Sequence, residues 1–121
     1  MKPASAFGND VKCELEAGGT GIPHSGTSFA DLFGFGQVDC KDSNGDPADV
    51  ESIFVTAQFG RQGKVESKSC RNQPTCIAPI ETIVADRNPA RETLYNVFAT
   101  GSATAPVNPT ETGGVIRVPA D

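Results

Sequence analysis

Tryptophan is absent from this 121-residue sequence, and tyrosine, histidine and methionine each occur once. Each shortage narrows what the chain does. A glycosidase or a carbohydrate-binding cleft stacks sugars on aromatic rings, and one Tyr without Trp supplies such a cleft poorly. The only histidine, His24, has Ser25 as its sequence neighbour in a Gly/Pro/Ser stretch, which does not set a base and a nucleophile in catalytic register. No Gly-x-Ser-x-Gly elbow occurs, nor a glycine-rich phosphate loop opening a helix. No Cys-x-x-Cys pair is present, so a zinc site built on two closely spaced ligand pairs is not expected. No run approaches the ~20 apolar residues that cross a bilayer. Lys and Arg form no cluster in a chain of net charge −5, which sets aside nucleic acid and anionic membrane as partners. Neither catalysis nor a cofactor is expected.

What remains is a small β-protein. At 121 residues the chain is long enough for one domain. Its apolar fraction of 37%, with seven Phe, makes a modest core, and such cores usually recruit cross-links. Four cysteines stand at Cys13, Cys40, Cys70 and Cys76, which allows three pairings. Joining Cys13 to Cys40 and Cys70 to Cys76 is the most economical, because each pair brackets its own segment. Disulfides imply an oxidising compartment, hence a secreted protein. The start, Met1-Lys2-Pro3-Ala4-Ser5, has no apolar run of signal-peptide length, so an exported chain is expected to have lost its leader.

Short segments of period-two alternation, punctuated by 13 Gly and 9 Pro, predict about seven strands and no convincing helix. Val11, Cys13, Leu15 and Ala17 alternate with Lys12, Glu14 and Glu16, placing the cysteine inward and the carboxylates outward. Residues 18–28 read as a loop. Residues 27–34 offer at most one helical turn within a Phe29–Phe35 aromatic cluster, before Val38 and Cys40 share an inward face. Asn44-Gly45 marks a hairpin turn. Ile53–Phe59 is the clearest strand. Gly60–Gly63 is a turn, Lys64–Cys70 and Ile77–Ala85 are strands, and Pro79 places the latter at an edge or a bulge. Thr93–Thr100 and Val115–Val118 follow, and residues 91–121 are expected to include a partly mobile tail. The expected architecture is an immunoglobulin-like antiparallel β-sandwich over residues 11–121, with residues 1–10 as a flexible arm; a small β-barrel is the alternative. Without the tryptophan that immunoglobulin domains pack on their disulfide, the likeness is one of architecture.

Two further constellations have plainer readings beside them. Asp42-x-Asn44-x-Asp46 reproduces the first three ligand positions of a calcium loop, but Pro47 and Ile53 occupy positions that require Gly and Glu, so a solvated turn is the better reading. The segment Cys70-Arg71-Asn72-Gln73-Pro74-Thr75-Cys76, if closed, is a seven-residue ring presenting Arg71, as some inhibitors of trypsin-like proteases present their specificity residue. Its plainer reading is a stapled connection between strands. Phe33 and Phe35, together with Arg71, Asn72 and Gln73, are the candidate protein-contact residues, since exposed apolar patches on small soluble proteins mark such sites.

From residue 53 onward the rhythm Phe54-Val55-Thr56-Ala57-Gln58-Phe59, the Gly-Arg-Gln-Gly turn, Lys64-Val65-Glu66-Ser67, the Cys70–Cys76 pair and Tyr95-Asn96-Val97-Phe98-Ala99-Thr100 resembles small exported β-sandwich proteins of actinobacteria, including the adaptor subunits of umbrella toxin particles. The close cysteine pair is also similar to that of enediyne chromoprotein apoproteins, whose first pair, unlike Cys13 and Cys40, is closely spaced too. The first resemblance implies a non-catalytic connector that docks other subunits through its sheet faces and its N-terminal residues 1–10. The expectation is a secreted, non-enzymatic protein-binding or adaptor module. A protease inhibitor acting through Arg71 and a small secreted toxin or effector are the alternatives.

Overall fold

The computed structural model describes residues 10–60 and 63–121, and the chain is all-β. Its strands are β1 (Lys12–Pro23), β2 (Phe29–Lys41), β3 (Val50–Phe59), β4 (Val65–Gln73), β5 (Thr75–Asp86), β6 (Thr93–Ala103) and β7 (Glu111–Val118). They form two antiparallel sheets, β1-β2-β5 and β4-β3-β6-β7, packed as a sandwich. The fourth strand pairs with the third, whereas in a constant-type immunoglobulin domain it joins the first, second and fifth. The N-terminal arm expected over residues 1–10 lies, apart from Asp10, outside the described residues, as do Arg61 and Gln62 of the expected turn.

The alternation read from the sequence carries the core. In β2, Ala30, Leu32, Gly34, Gly36, Val38 and Cys40 are buried and alternate with residues that face outward. Ile53, Val55 and Ala57 of β3 and Val97 and Ala99 of β6 oppose them from the other sheet. Both expected disulfides form. Cys13 and Cys40 are direct partners on neighbouring strands, with Cα atoms 4.0 Å apart. Cys70 and Cys76 connect β4 to β5 and therefore tie one sheet to the other. β5 is an edge strand, as Pro79 requires.

Glycine closes the opposite side. A Cβ on Gly114 of β7 would lie 2.3 Å from the Ala17 carbonyl oxygen of β1, and one on Gly21 would lie 2.3 Å from Val118. The two edge strands nest through missing side chains without a continuous ladder between them, so the sandwich does not become the alternative barrel. The expected loop over residues 18–28 is thereby corrected: β1 runs to Pro23, and the turn is confined to residues 24–28. A composition typical of loops is here a packing surface.

Three further expectations change. Residues 29–41 form a strand with period-two burial, leaving no helical turn over residues 27–34. Asn44-Gly45 does make a turn, with Gly45 at φ 83°, but it carries the chain from β2 to the other sheet instead of closing a hairpin. In place of a mobile tail, β6 and β7 pair from Thr93 with Val118 to Thr100 with Glu111, and Asp121 is hydrogen-bonded.

Sheet separation sets a limit on substitution. A Cβ on Gly36 would stand 2.9 Å from Ala99 Cβ and 3.1 Å from Ala57 Cβ, both across the sandwich. Gly36→Val is expected to cost about 3 kcal/mol in urea unfolding. Gly113→Ala, whose Cβ would meet the Phe98 ring at 3.4 Å, is expected to leave stability within about 0.5 kcal/mol. Equal effects at the two sites would contradict this packing.

Candidate functional site

The outer face of the three-stranded sheet gathers the apolar residues that the core leaves out. From β2 it takes Phe29, Phe33 and Phe35, from β5 Ile77, Pro79 and Val84, and from β1 Ile22. Phe33 is 41% exposed and Ile77 44%, so both present a substantial part of an apolar side chain to solvent although they lie within paired strands. Phe35 is half-buried because its ring lies over its cross-strand partner Gly18, where a Cβ would come within 3.1 Å of Phe35 Cζ. A shallow depression of about 330 Å³ opens between Thr20, Phe33, Phe35, Gln37, Ile77 and Pro79.

Carboxylates frame this apolar centre. At one end Glu14 and Glu16 face outward beside Asp39, which is cross-strand to Glu14. Asp39 is held in place: Gln37 Nε2 donates to both of its carboxylate oxygens at 3.0 Å, and Thr75 Oγ1 donates to Oδ1 at 2.9 Å. Lys12 and Lys41 lie beyond. At the other end are Asp86 and Asp31, the latter 3.0 Å from His24 Nε2. On the edge strand, Glu81 pairs with Lys64, whose hydrogen bond holds the Glu81 carboxyl below its ordinary range.

The second group of candidates lies elsewhere. Arg71, Asn72 and Gln73 do not project on a loop: they continue β4, with Arg71 across from Ser52 and only Pro74 between β4 and β5. Asn72 takes a φ of 54°, and the Pro74 carbonyl accepts from the Cys40 N–H at 2.7 Å, which fixes the corner. With Cys70 buried, Arg71 faces out from the four-stranded sheet. Phe33 and Phe35 therefore sit on one outer face of the sandwich and Arg71 on the other; the fold does not assemble them into one site.

In the 42–46 turn, Asp42 Oδ1 accepts the N–H groups of Asn44 at 2.9 Å and Asp46 at 3.0 Å. That carboxylate is engaged in backbone capping, and no group of three or more potential metal-ligating side chains occurs among the described residues. Millimolar Ca²⁺ is expected to leave the melting temperature within about 1 °C, whereas a rise of many degrees would restore the calcium reading.

Some residues of interest escaped the sequence reading. Ile77 belongs to the apolar face, and its signal was the alternation with buried Cys76 and Ala78. Arg87, 4% exposed, gave no signal at all, since nothing local distinguishes it from a turn arginine. No described helix is long and apolar enough to cross a membrane. Comparison with protein-family models, with curated proteins and with solved structures finds no match.

Proposed function

We propose that this chain is a secreted, non-enzymatic protein-binding or adaptor module that docks its partner on the outer face of the three-stranded sheet. The observation that carries this reading is the apolar centre of exposed Phe33, Ile77 and Pro79 beside half-buried Phe35, which the sandwich core does not use. Two disulfides suit an oxidising, extracellular setting. The framing by Glu14, Glu16, Asp39, Asp31 and Asp86 specifies the partner's chemistry: an apolar patch flanked by Lys or Arg. A second copy of this chain would set like charges against one another and is disfavoured. The resemblance to exported adaptor subunits supports the same reading and extends it to a component of an exported toxin assembly.

The test is capture from the producing organism's secreted fraction, with the wild type and a Phe33→Ser/Ile77→Ser variant side by side. A stoichiometric partner, weakened by high salt and lost with the variant, is the expected result. Equal capture by both proteins, or none by either, contradicts the docking face. The competing inhibitor reading gains less from the fold, because Arg71 lies in a paired strand with little freedom to enter a protease cleft. Inhibition of trypsin that disappears in Arg71→Ala would nonetheless promote it, and toxicity of the isolated chain would favour an effector.

A further inference from the structure

The outer face of the four-stranded sheet has a different chemistry from its counterpart. Around Phe54 the ladder aligns Ser69, Phe54 and Ser102 in one row, and Ser67, Thr56 and Thr100 in the next, with Ser52 beside Arg71 in the row beyond. Among the described residues of these rows, charge is confined to Arg71 and, at the opposite corner, Glu111. Serine is not a strand-favouring residue, so four serines within these strands are not explained by β-propensity. They keep the surroundings of one ring low. Phe54 is 46% exposed, and its direct cross-strand neighbours are Ser69 and Ser102, so no bulky side chain flanks it along the ladder. A depression of about 370 Å³ opens there, lined by Ser52, Phe54, Ser69, Arg71, Ser102 and Thr104.

An aromatic ring beside hydroxyls and one guanidinium, on a nearly uncharged surface, selects its ligand by elimination. An anion would find a single cation, and an apolar ligand would desolvate a surface rich in hydroxyls. A neutral pyranoside satisfies both halves. Its C–H face packs on the negative face of the Phe54 ring. Its hydroxyls exchange hydrogen bonds with serine hydroxyls, which both donate and accept, and with the Arg71 donors. The shortage of Trp and Tyr argues against a deep sugar cleft, but a flat platform needs only one π-surface. We propose that the face around Phe54 binds a neutral carbohydrate chain stacked on Phe54 and hydrogen-bonded by Ser52, Ser69, Ser102 and Arg71. This site lies on the opposite side of the sandwich from the protein-docking face and does not depend on it.

Amide NMR titration of the full chain with neutral oligosaccharides built from glucose, mannose, galactose or N-acetylglucosamine tests the assignment, with an acidic hyaluronan oligosaccharide as the charged control. At least one neutral sugar at millimolar concentration is expected to shift the resonances of Ser52, Phe54, Ser69 and Ser102. Phe54→Ala is expected to weaken that binding on the order of tenfold, the loss of one stacked ring. Ser102→Val, which keeps a strand-favouring residue but places bulk against the ring, is expected to weaken it as well, and Phe33→Ala to leave it unchanged. No shift with any neutral sugar, binding of the acidic control alone, or binding retained in both Phe54→Ala and Ser102→Val overturns the proposal.

Discussion

Replacing the Cys13–Cys40 pair by alanine is expected to lower the unfolding free energy by about 3–4 kcal/mol, the largest effect of any conservative change in the sheets. The bridge closes a segment with a sequence separation of 27 residues, and closing a loop of that size removes roughly this much free energy from the unfolded chain's conformational freedom. The Cys70–Cys76 bridge has a separation of only 6 residues and is expected to be worth about 2 kcal/mol by the same reasoning. Small domains have only about 5–15 kcal/mol in total, so losing both bridges should leave the chain unfolded or nearly so at 37 °C. The cysteines of the first pair are 3% and 1% exposed, which makes a reductant slow to reach them in the native state. Paired substitution followed by urea unfolding is therefore the cleaner measurement. A loss below about 1 kcal/mol for the Cys13→Ala/Cys40→Ala protein would show that the core needs no staple.

Arg87→Ala is expected to cost about 2–3 kcal/mol, because it removes a buried guanidinium hub that makes three hydrogen bonds. Nε donates to the Phe29 carbonyl at 3.1 Å, and Nη2 donates to the His24 carbonyl at 3.0 Å and to Asp121 Oδ1 at 2.7 Å. The hub thus binds both ends of the β1–β2 turn and the segment after β7. Lysine cannot replace it, since a single nitrogen does not reach all three acceptors in the guanidinium's fixed geometry, and Arg87→Lys is expected to recover little of the loss. Asp121 reports the same hub through pH. The Arg87 hydrogen bond holds its carboxyl below the ordinary range; burial opposes this, and the Gly26 N–H and the Arg87 charge assist. A depressed folded-state pKa means stability that is present above the unfolded value and lost as pH falls through the folded one. The stability difference between wild type and Asp121→Asn should therefore be open above about pH 4 and close on further acidification. A difference that grows in acid would contradict the hub.

How far the molecule was legible follows from which interactions are local. Alternation in 11–17, 38–40 and 53–59 announced which residues face inward, and the cysteine spacing favoured, among three pairings, the one that forms, because both depend on near neighbours. Assigning each strand to a sheet was out of reach. The Asn44-Gly45 turn looks the same whether it returns the chain beside β2 or carries it across the sandwich. Gly18, Gly19 and Gly21 read as a loop because their purpose is to accommodate residues far away in sequence, Ile116 and Val118, or a ring on the neighbouring strand, Phe35. Arg87 was illegible for the same reason: its hydrogen-bonding partners lie 34 to 63 residues away. Of the candidate contacts, Phe33 and Phe35 do lie on one exposed face, while Arg71, Asn72 and Gln73 belong to β4 of the other sheet.

The resulting picture is a stapled sandwich with two unlike outer faces, one apolar with an acidic frame and one hydroxylated around the exposed Phe54 ring. On the reading proposed above, such a body would join partners of different chemistry through its two faces. Its most direct test is photo-crosslinking in the producing organism's secreted fraction, with a benzophenone amino acid placed at Phe33 in one protein and at Thr56 in another. The account predicts a single stoichiometric protein adduct from position 33 and none from position 56. No adduct at position 33, or the same adduct from both positions, would contradict it.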